Sequence, residues 1–199
     1  MKFNIDRVKG FSDGFIAIII TLMILEIPIP NAINQTELFI FFKALFIYGT
    51  SFMIIAIQQK RHHYLIDDLT SISNTGICKN MLWLLSLSFI PIFMKWLIDS
   101  TFNIVPAFGY SVVCLINDFS IRFLFLQILK ENPEHQIIQI TQYREQFSLK
   151  HIFIFICILC IISVIALIYP RIAMICFIIF PTIMSSKQCL TDKEHEKRI

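Results

Sequence analysis

Long apolar segments recur along the chain, and they constrain its fold more than any other feature. A chain crosses the hydrocarbon core of a bilayer as a helix of about 20 mostly apolar residues, because a helix satisfies its own backbone hydrogen bonds. We therefore predict an all-α integral membrane protein in which residues 1–199 form a single six-helix domain. The predicted helices span about residues 11–28, 38–57, 81–98, 107–129, 151–169 and 172–184.

Composition supports a membrane protein and argues against several other classes. Charged residues make up 16% of the chain, against about 25% in soluble proteins, and the mean hydropathy is +0.71. A net charge of +3 is too small to indicate a nucleic-acid partner. The partner expected from composition is the lipid bilayer.

Sequence motifs for enzymes are missing, and so are those for the usual potassium filter. The chain has no G-x-S-x-G, Walker loop, H-E-x-x-H or G-x-G-x-x-G motif, and no T-V-G-Y-G filter. We expect no enzymatic activity, no cofactor and no metal centre. Cys157 and Cys160 have a metal-like spacing but lie within an apolar run without a second pair nearby.

The distribution of basic residues predicts the orientation. Every Lys and Arg of the predicted loops and termini, except Arg171, falls on the side that carries both termini. Cytoplasmic segments are enriched in these residues, so both termini are predicted to be cytoplasmic. After the first apolar run no small-residue cleavage site follows, so that run is expected to remain in the protein as a helix.

Charged residues inside the predicted spans have competing interpretations. Lys95 is expected to snorkel outward and pair with Asp99, four positions later. Lys43 either snorkels outward or faces a wet cavity. Asp118 and Arg122 have the same four-residue spacing, so they either neutralise each other or serve a function. The functional alternative is a secondary transporter or proton-coupled exchanger that uses both residues.

The first apolar segment carries a regular stripe. Ile18, Leu22 and Leu25 recur at i, i+4 and i+7, so they share one face of a helix, and Thr21 lies at the edge of that face. Such spacing is common in helix packing and does not by itself indicate a pore.

The residues before this stripe resemble a known family. Arg7-Val8-Lys9-Gly10-Phe11-Ser12-Asp13 fits the R-x-x-x-F-S-D signature of the transmembrane protein 175 family, potassium channels of endosomes, lysosomes and prokaryotes that lack the usual pore loop. The resemblance implies that the first helices of four repeats line the pore. A chain with one repeat is then expected to form a homotetramer in a prokaryotic cell membrane.

The family resemblance assigns roles to single residues. Ile18, Leu22 and Leu25 correspond to the rings of large apolar side chains that form the constriction, and Thr21 is the neighbouring hydroxyl. The permeant ion is expected to be K⁺, with modest selectivity over Na⁺. Glu26 is expected at the outer mouth, where a carboxylate attracts cations.

The start of the motif is expected to anchor the helix and not to bind ions. Asp13 lies about 140° around the helix from Ile18. The anchoring residues are predicted to tie the first helix to the second at its cytoplasmic end; they are Arg7, Phe11, Ser12, Asp13, His62 and His63. Two adjacent His residues point in different directions on a helix, so they are not expected to bind a metal together.

One position departs from the family pattern. The family commonly has a Trp three residues before the first His of the second helix, where this chain has Gln59. Either the Gln59 amide replaces that packing with hydrogen bonds, or the junction between the two helices is looser here.

Overall fold

The structure is a computed structural model that describes most of the first two thirds of the chain. The described residues are 2–67, 69, 71–100, 104–131, 153, 154, 156–158, 160–162, 176, 178–180 and 183. The predicted fifth and sixth spans, at about 151–169 and 172–184, lie largely outside these residues, as do the connector that precedes them and the charged tail.

Within the described residues the fold is mostly helical. In chain order the elements are β1 (Lys2–Asn4), α1 (Ile5–Leu25), α2 (Gln35–Ile66), β2 (Ser71–Ser73), α3 (Asn74–Asp99) and α4 (Ile104–Glu131). By length and composition, all four of these helices can cross a membrane. The first four predicted spans are therefore present as helices, and each is longer than or shifted from its predicted bounds.

Helix α1 begins before its apolar run and ends earlier than predicted. The side chain of Asn4 caps it by accepting a hydrogen bond from the Asp6 backbone N–H at 2.8 Å. The helix ends at Leu25, and Glu26 follows as its C-cap. Pro28 therefore lies in the connection to α2 and not inside the first helix.

The predicted polar loop after residue 57 is wrong over its first half. Helix α2 continues without interruption to Ile66 and is 32 residues long. Gln58, Arg61 and His62 are polar but buried, because each finds a hydrogen-bond partner on a neighbouring helix. Helix α3 likewise starts earlier than predicted, where the Ser73 hydroxyl accepts from the Gly76 N–H at 3.0 Å.

A short two-stranded sheet at one end of the bundle adds to the predicted helices. Strands β1 and β2 pair antiparallel, with Lys2 opposite Ser73 and Asn4 opposite Ser71. The start of the chain is therefore held beside the connection between α2 and α3. This places both segments at the same end of the bundle, as the distribution of basic residues required.

Helix α3 forms the centre of the described bundle and contacts α1, α2 and α4. Its side chains Trp83, Leu87 and Met94 are fully buried. The α3–α4 contact is close: a Cβ at Gly109 would lie 2.3 Å from a ring carbon of Phe93. Pro91 lies inside α3, which continues through it to Asp99.

Candidate functional site

The two faces of α1 differ sharply in burial. Ile18, Leu22 and Leu25 are 58%, 51% and 77% exposed in the single chain. The opposite face, with Ile16 and Met23, is almost completely buried against the rest of the bundle. The apolar stripe is therefore free to face lipid, a second copy of the chain or an aqueous pathway.

Thr21 lies on the exposed side of α1. Its hydroxyl donates to the backbone carbonyl of Ile18, one turn earlier, at 2.9 Å. The donor is thus satisfied inside the helix, as is common for Thr in apolar segments. A hydroxyl oxygen that donates one hydrogen bond can still accept another or face a cation.

A chain of buried hydrogen bonds joins three helices at the other end of α1. The Asn80 amide of α3 donates to the Ser12 hydroxyl of α1 at 2.9 Å, and its carbonyl oxygen lies 2.7 Å from the His62 Nε2 of α2. The His62 ring also stacks on Trp83, with ring centroids 4.2 Å apart. Ser12, His62 and Asn80 are all buried, so each depends on the others for its hydrogen bonds.

The remaining motif residues lie at the surface of the single chain. Asp13 is exposed and accepts a hydrogen bond from the Gln59 amide at 3.4 Å. Gln59 therefore makes a polar contact with the motif, while Trp83 of α3 stacks on His62.

Three other residues that were predicted to anchor the helix take no part in these buried hydrogen bonds. Arg7 is exposed, and Phe11 is half exposed and stacks on Phe15 with centroids 6.1 Å apart. His63 is also exposed, and its Nε2 lies 3.9 Å from an Asp67 carboxylate oxygen. The two adjacent His residues therefore point apart. Among the residues that the structure describes, no group of three or more His, Cys, Asp or Glu residues is placed to hold a metal.

Replacing Asn80 with Ala should destabilise the bundle by about 2 kcal/mol, because it removes the partners of two buried side chains at once. The melting temperature of the detergent-purified protein measures this loss. Asn74→Ala is the matched control, since Asn74 is exposed at the start of the same helix. Equal melting temperatures for the two variants would show that the hydrogen bonds between Ser12, Asn80 and His62 do not hold these helices together.

The C-terminal end of α1 is tied to α3 by an ion pair. The Lys95 ammonium donates to the Glu26 carboxylate, 69 positions earlier in the chain. The predicted pairing of Lys95 with Asp99 is wrong, because Glu26 lies within hydrogen-bond reach of the ammonium. Glu26, predicted as a free carboxylate at the outer mouth, instead has a cationic partner.

Lys43 reaches the C-terminal end of α3, where it also lines a cavity. Its ammonium donates to the backbone carbonyls of Ile98 at 3.1 Å and Ser100 at 2.5 Å, at the C-terminal end of α3. Unpaired carbonyls at a helix C-terminus attract cations. Lys43 therefore binds the end of α3, beside a cavity of about 440 Å³ that Phe39 and Asp99 also line.

Asp118 finds its partners on α2 and not in Arg122, so mutual neutralisation, one of the two interpretations of this pair, does not describe its contacts. Asp118 accepts hydrogen bonds from Arg61 at 2.7 Å and from the Gln58 amide at 2.9 Å, both on α2. Arg61 is 5% exposed and the Asp118 side chain 12%, so the pair lies inside the protein. Arg122 instead has one buried guanidinium nitrogen without a hydrogen-bond partner among the described residues.

Sequence reasoning missed four residues of these buried contacts: Gln58, Arg61, Asn80 and Trp83. Arg61 was counted as a loop cation, although it follows Gln58 at one helical turn and both precede His62 on the same helix. A helix continued through the three polar residues would have placed them on one side of α2.

These features define a helical integral membrane protein in which buried polar contacts fix α1 to its neighbours and leave one apolar face of α1 exposed. The family model described as endosomal/lysosomal potassium channel TMEM175 matches residues 7–91, from Arg7 of the motif to Pro91 of α3. This part of the chain is therefore similar to the TMEM175 family, and the curated relatives below are named potassium channels.

Two curated relatives and one solved structure accompany the family match. A potassium channel from Chryseobacterium sp. (strain P1-3) is 27% identical over 146 residues, 72% of this chain and 76% of its own length. Another from Streptomyces collinus is 27% identical over 132 residues, 62% of this chain and 64% of its own length. The crystal structure of a lysosomal potassium-selective channel TMEM175 homolog from Chamaesiphon minutus superposes with a TM-score of 0.67 at 20% identity, covering 92% of this chain and 97% of that one.

Proposed function

We propose that this chain is a potassium channel in which the exposed apolar face of α1 lines the pore. The supporting observation is that Ile18, Leu22 and Leu25 are left uncovered while the motif residue Ser12, on the buried side of the same helix, is fixed by hydrogen bonds. A helix held on one side and free on the other is suited to line a pathway between copies of the chain. The names of the two bacterial relatives support K⁺ as the permeant ion.

Four copies are proposed to surround the pore, with a ring of each stripe residue facing the axis. Narrow rings of Ile and Leu exclude water and so act as a hydrophobic constriction. Such rings offer no oxygen ligands to replace the hydration shell of an ion. Selectivity then rests on the cost of removing water, which is lower for K⁺ than for the smaller Na⁺, and a ring of Thr21 hydroxyls compensates part of it. We therefore propose modest K⁺ over Na⁺ selectivity.

The proposed orientation places both chain termini in the cytoplasm of a prokaryotic cell. The Lys and Arg residues at the β1–β2 end of the bundle support it, because cytoplasmic segments are enriched in these residues. In this orientation Glu26 and Lys95 lie at the outer end of the pore, and the Ser12–Asn80–His62 hydrogen bonds lie at the cytoplasmic end.

Flux measurements on purified protein in liposomes test the proposed function. We expect K⁺ efflux down its gradient, with a slower but measurable flux when Na⁺ replaces K⁺. Empty liposomes and liposomes that hold heat-unfolded protein are the controls. A K⁺ flux no greater than that of the empty liposomes would contradict the channel function.

A further inference from the structure

We propose that Lys95 lowers the cation concentration at the outer end of the pore by neutralising the Glu26 carboxylate. The inference rests on the proposed channel function and assigns a conductance-setting role to a residue of α3. Glu26 immediately follows α1, so its position is fixed by the pore-lining helix itself. Its carboxylate pairs with the Lys95 ammonium, which projects from the penultimate turn of α3.

The pair lies at the edge of the stripe and not on a distant surface. Glu26 and Lys95 line one groove of about 540 Å³ together with Ile18 and Leu22 of the stripe and Pro91 of α3. On α1, Glu26 lies about 80° around the helix from Ile18, between the exposed stripe and the face buried against α3. A charge on either residue is therefore close to any cation that approaches the stripe from this end.

Both members of the pair are accessible to water. The side chains of Lys95 and Glu26 are 54% and 35% exposed. Exposed ion pairs contribute little to stability, so removing one partner should change the local field without unfolding the protein. Asp99 lies one turn beyond Lys95 and is also exposed, and Lys43 binds the end of the same helix, so the loss of Lys95 makes the charge at this end of α1 and α3 more negative.

Symmetry amplifies the effect of a single charge. In a tetramer, four Glu26 carboxylates cancelled by four Lys95 ammonium groups form a neutral ring around the outer mouth. Without Lys95 the ring carries four negative charges, which concentrate cations and raise the rate of ion entry. The field of such a ring extends about 30 Å at 10 mM salt but about 3 Å at 1 M, so its effect should vanish at high salt.

Single-channel recordings in planar bilayers with symmetric KCl test the inference. At about 10 mM KCl, Lys95→Gln should raise the unitary conductance about threefold over the unsubstituted channel. Glu26→Gln should lower it by a similar factor, because an unpaired ring of ammonium groups repels cations. At 1 M KCl the conductances of all three proteins should converge.

Three further variants separate charge from side-chain loss. Lys95→Arg keeps the charge and should behave as the unsubstituted protein, as should the neutral double variant Glu26→Gln with Lys95→Gln. Lys130→Gln makes the same charge change on an exposed residue in the last turn of α4, at the opposite end of the bundle. It should leave the conductance for ions entering from the outer side unchanged.

Separate results overturn the inference and the function on which it rests. If the unsubstituted protein conducts K⁺ but the two single variants match it at low salt, Lys95 does not set the cation concentration. A difference that persists unchanged at 1 M KCl would also overturn the inference, because an electrostatic effect must be screened. If the unsubstituted protein carries no K⁺ current at all, the proposed channel function is wrong.

Discussion

Leu22→Asn is expected to raise the K⁺ conductance about tenfold, the largest functional change for any single substitution in this chain. In the proposed tetramer this change places four amides in a ring that otherwise consists of Leu side chains only. Amides hydrogen-bond to water, so the ring stays wet and the cost of carrying an ion through it falls. A reduction of about 1.4 kcal/mol in that barrier corresponds to a tenfold faster passage. Ile18→Asn should act in the same direction.

Ile24→Asn is the matched control for this experiment. Ile24 is 52% exposed and Leu22 51%, and both belong to α1, but Ile24 lies on a different side of the helix. The same substitution there adds an amide without wetting the stripe, so the conductance should stay close to that of the unsubstituted channel. Single-channel amplitudes measure the effect per molecule, and size-exclusion profiles verify assembly. An equal rise in both variants would show that the stripe is not the constriction.

The largest loss of stability is expected for Asp118→Asn, at about 3 kcal/mol. Arg61 is almost fully buried, and its guanidinium lies 2.7 Å from the Asp118 carboxylate. Asn keeps the size of the side chain but removes this negative charge from beside the buried guanidinium. The melting temperature in detergent should fall markedly, while channels that remain folded should conduct nearly as before.

Asp67→Asn provides the comparison for an exposed pair. Asp67 lies 3.2 Å from the Lys9 ammonium and is 56% exposed, so its loss should cost less than about 1 kcal/mol.

Flux measurements on the Asp118→Asn variant also separate a channel from a transporter. A coupling carboxylate predicts that Asp118→Asn abolishes flux in a protein of normal stability, which is the reverse of the result expected here.

Hydropathy predicted where the first four helices lie, because long apolar runs need no knowledge of their neighbours. The helix ends could not be predicted in the same way. By polarity alone Gln58 and Arg61 are predicted to lie in a loop, but they are buried because Asp118 lies across from them about 60 positions later. Strands of three residues, such as Ser71–Ser73, leave no periodic pattern in a sequence at all.

The candidate site could likewise be predicted only in part from the sequence. The stripe of Ile18, Leu22 and Leu25 follows from helical spacing alone, and its exposure on the folded chain fits that spacing. The partners of the charged residues could not be predicted from helical spacing. Local rules favour Asp99 for Lys95 and Arg122 for Asp118, since both lie one helical turn away, but the folded chain brings Glu26 and Arg61 closer. These pairs are determined by contacts between helices that lie far apart in the sequence, and neither spacing nor composition predicts such contacts.

The pairing of β1 with β2 has a consequence for how the protein is made. Asn4 pairs with Ser71, so α1, α2 and the connection between them must be synthesised before the first strand finds its partner. A first helix that entered the membrane in the opposite direction would leave β1 across the bilayer from β2. The pairing can therefore form only in chains whose first helix has been inserted in the correct direction.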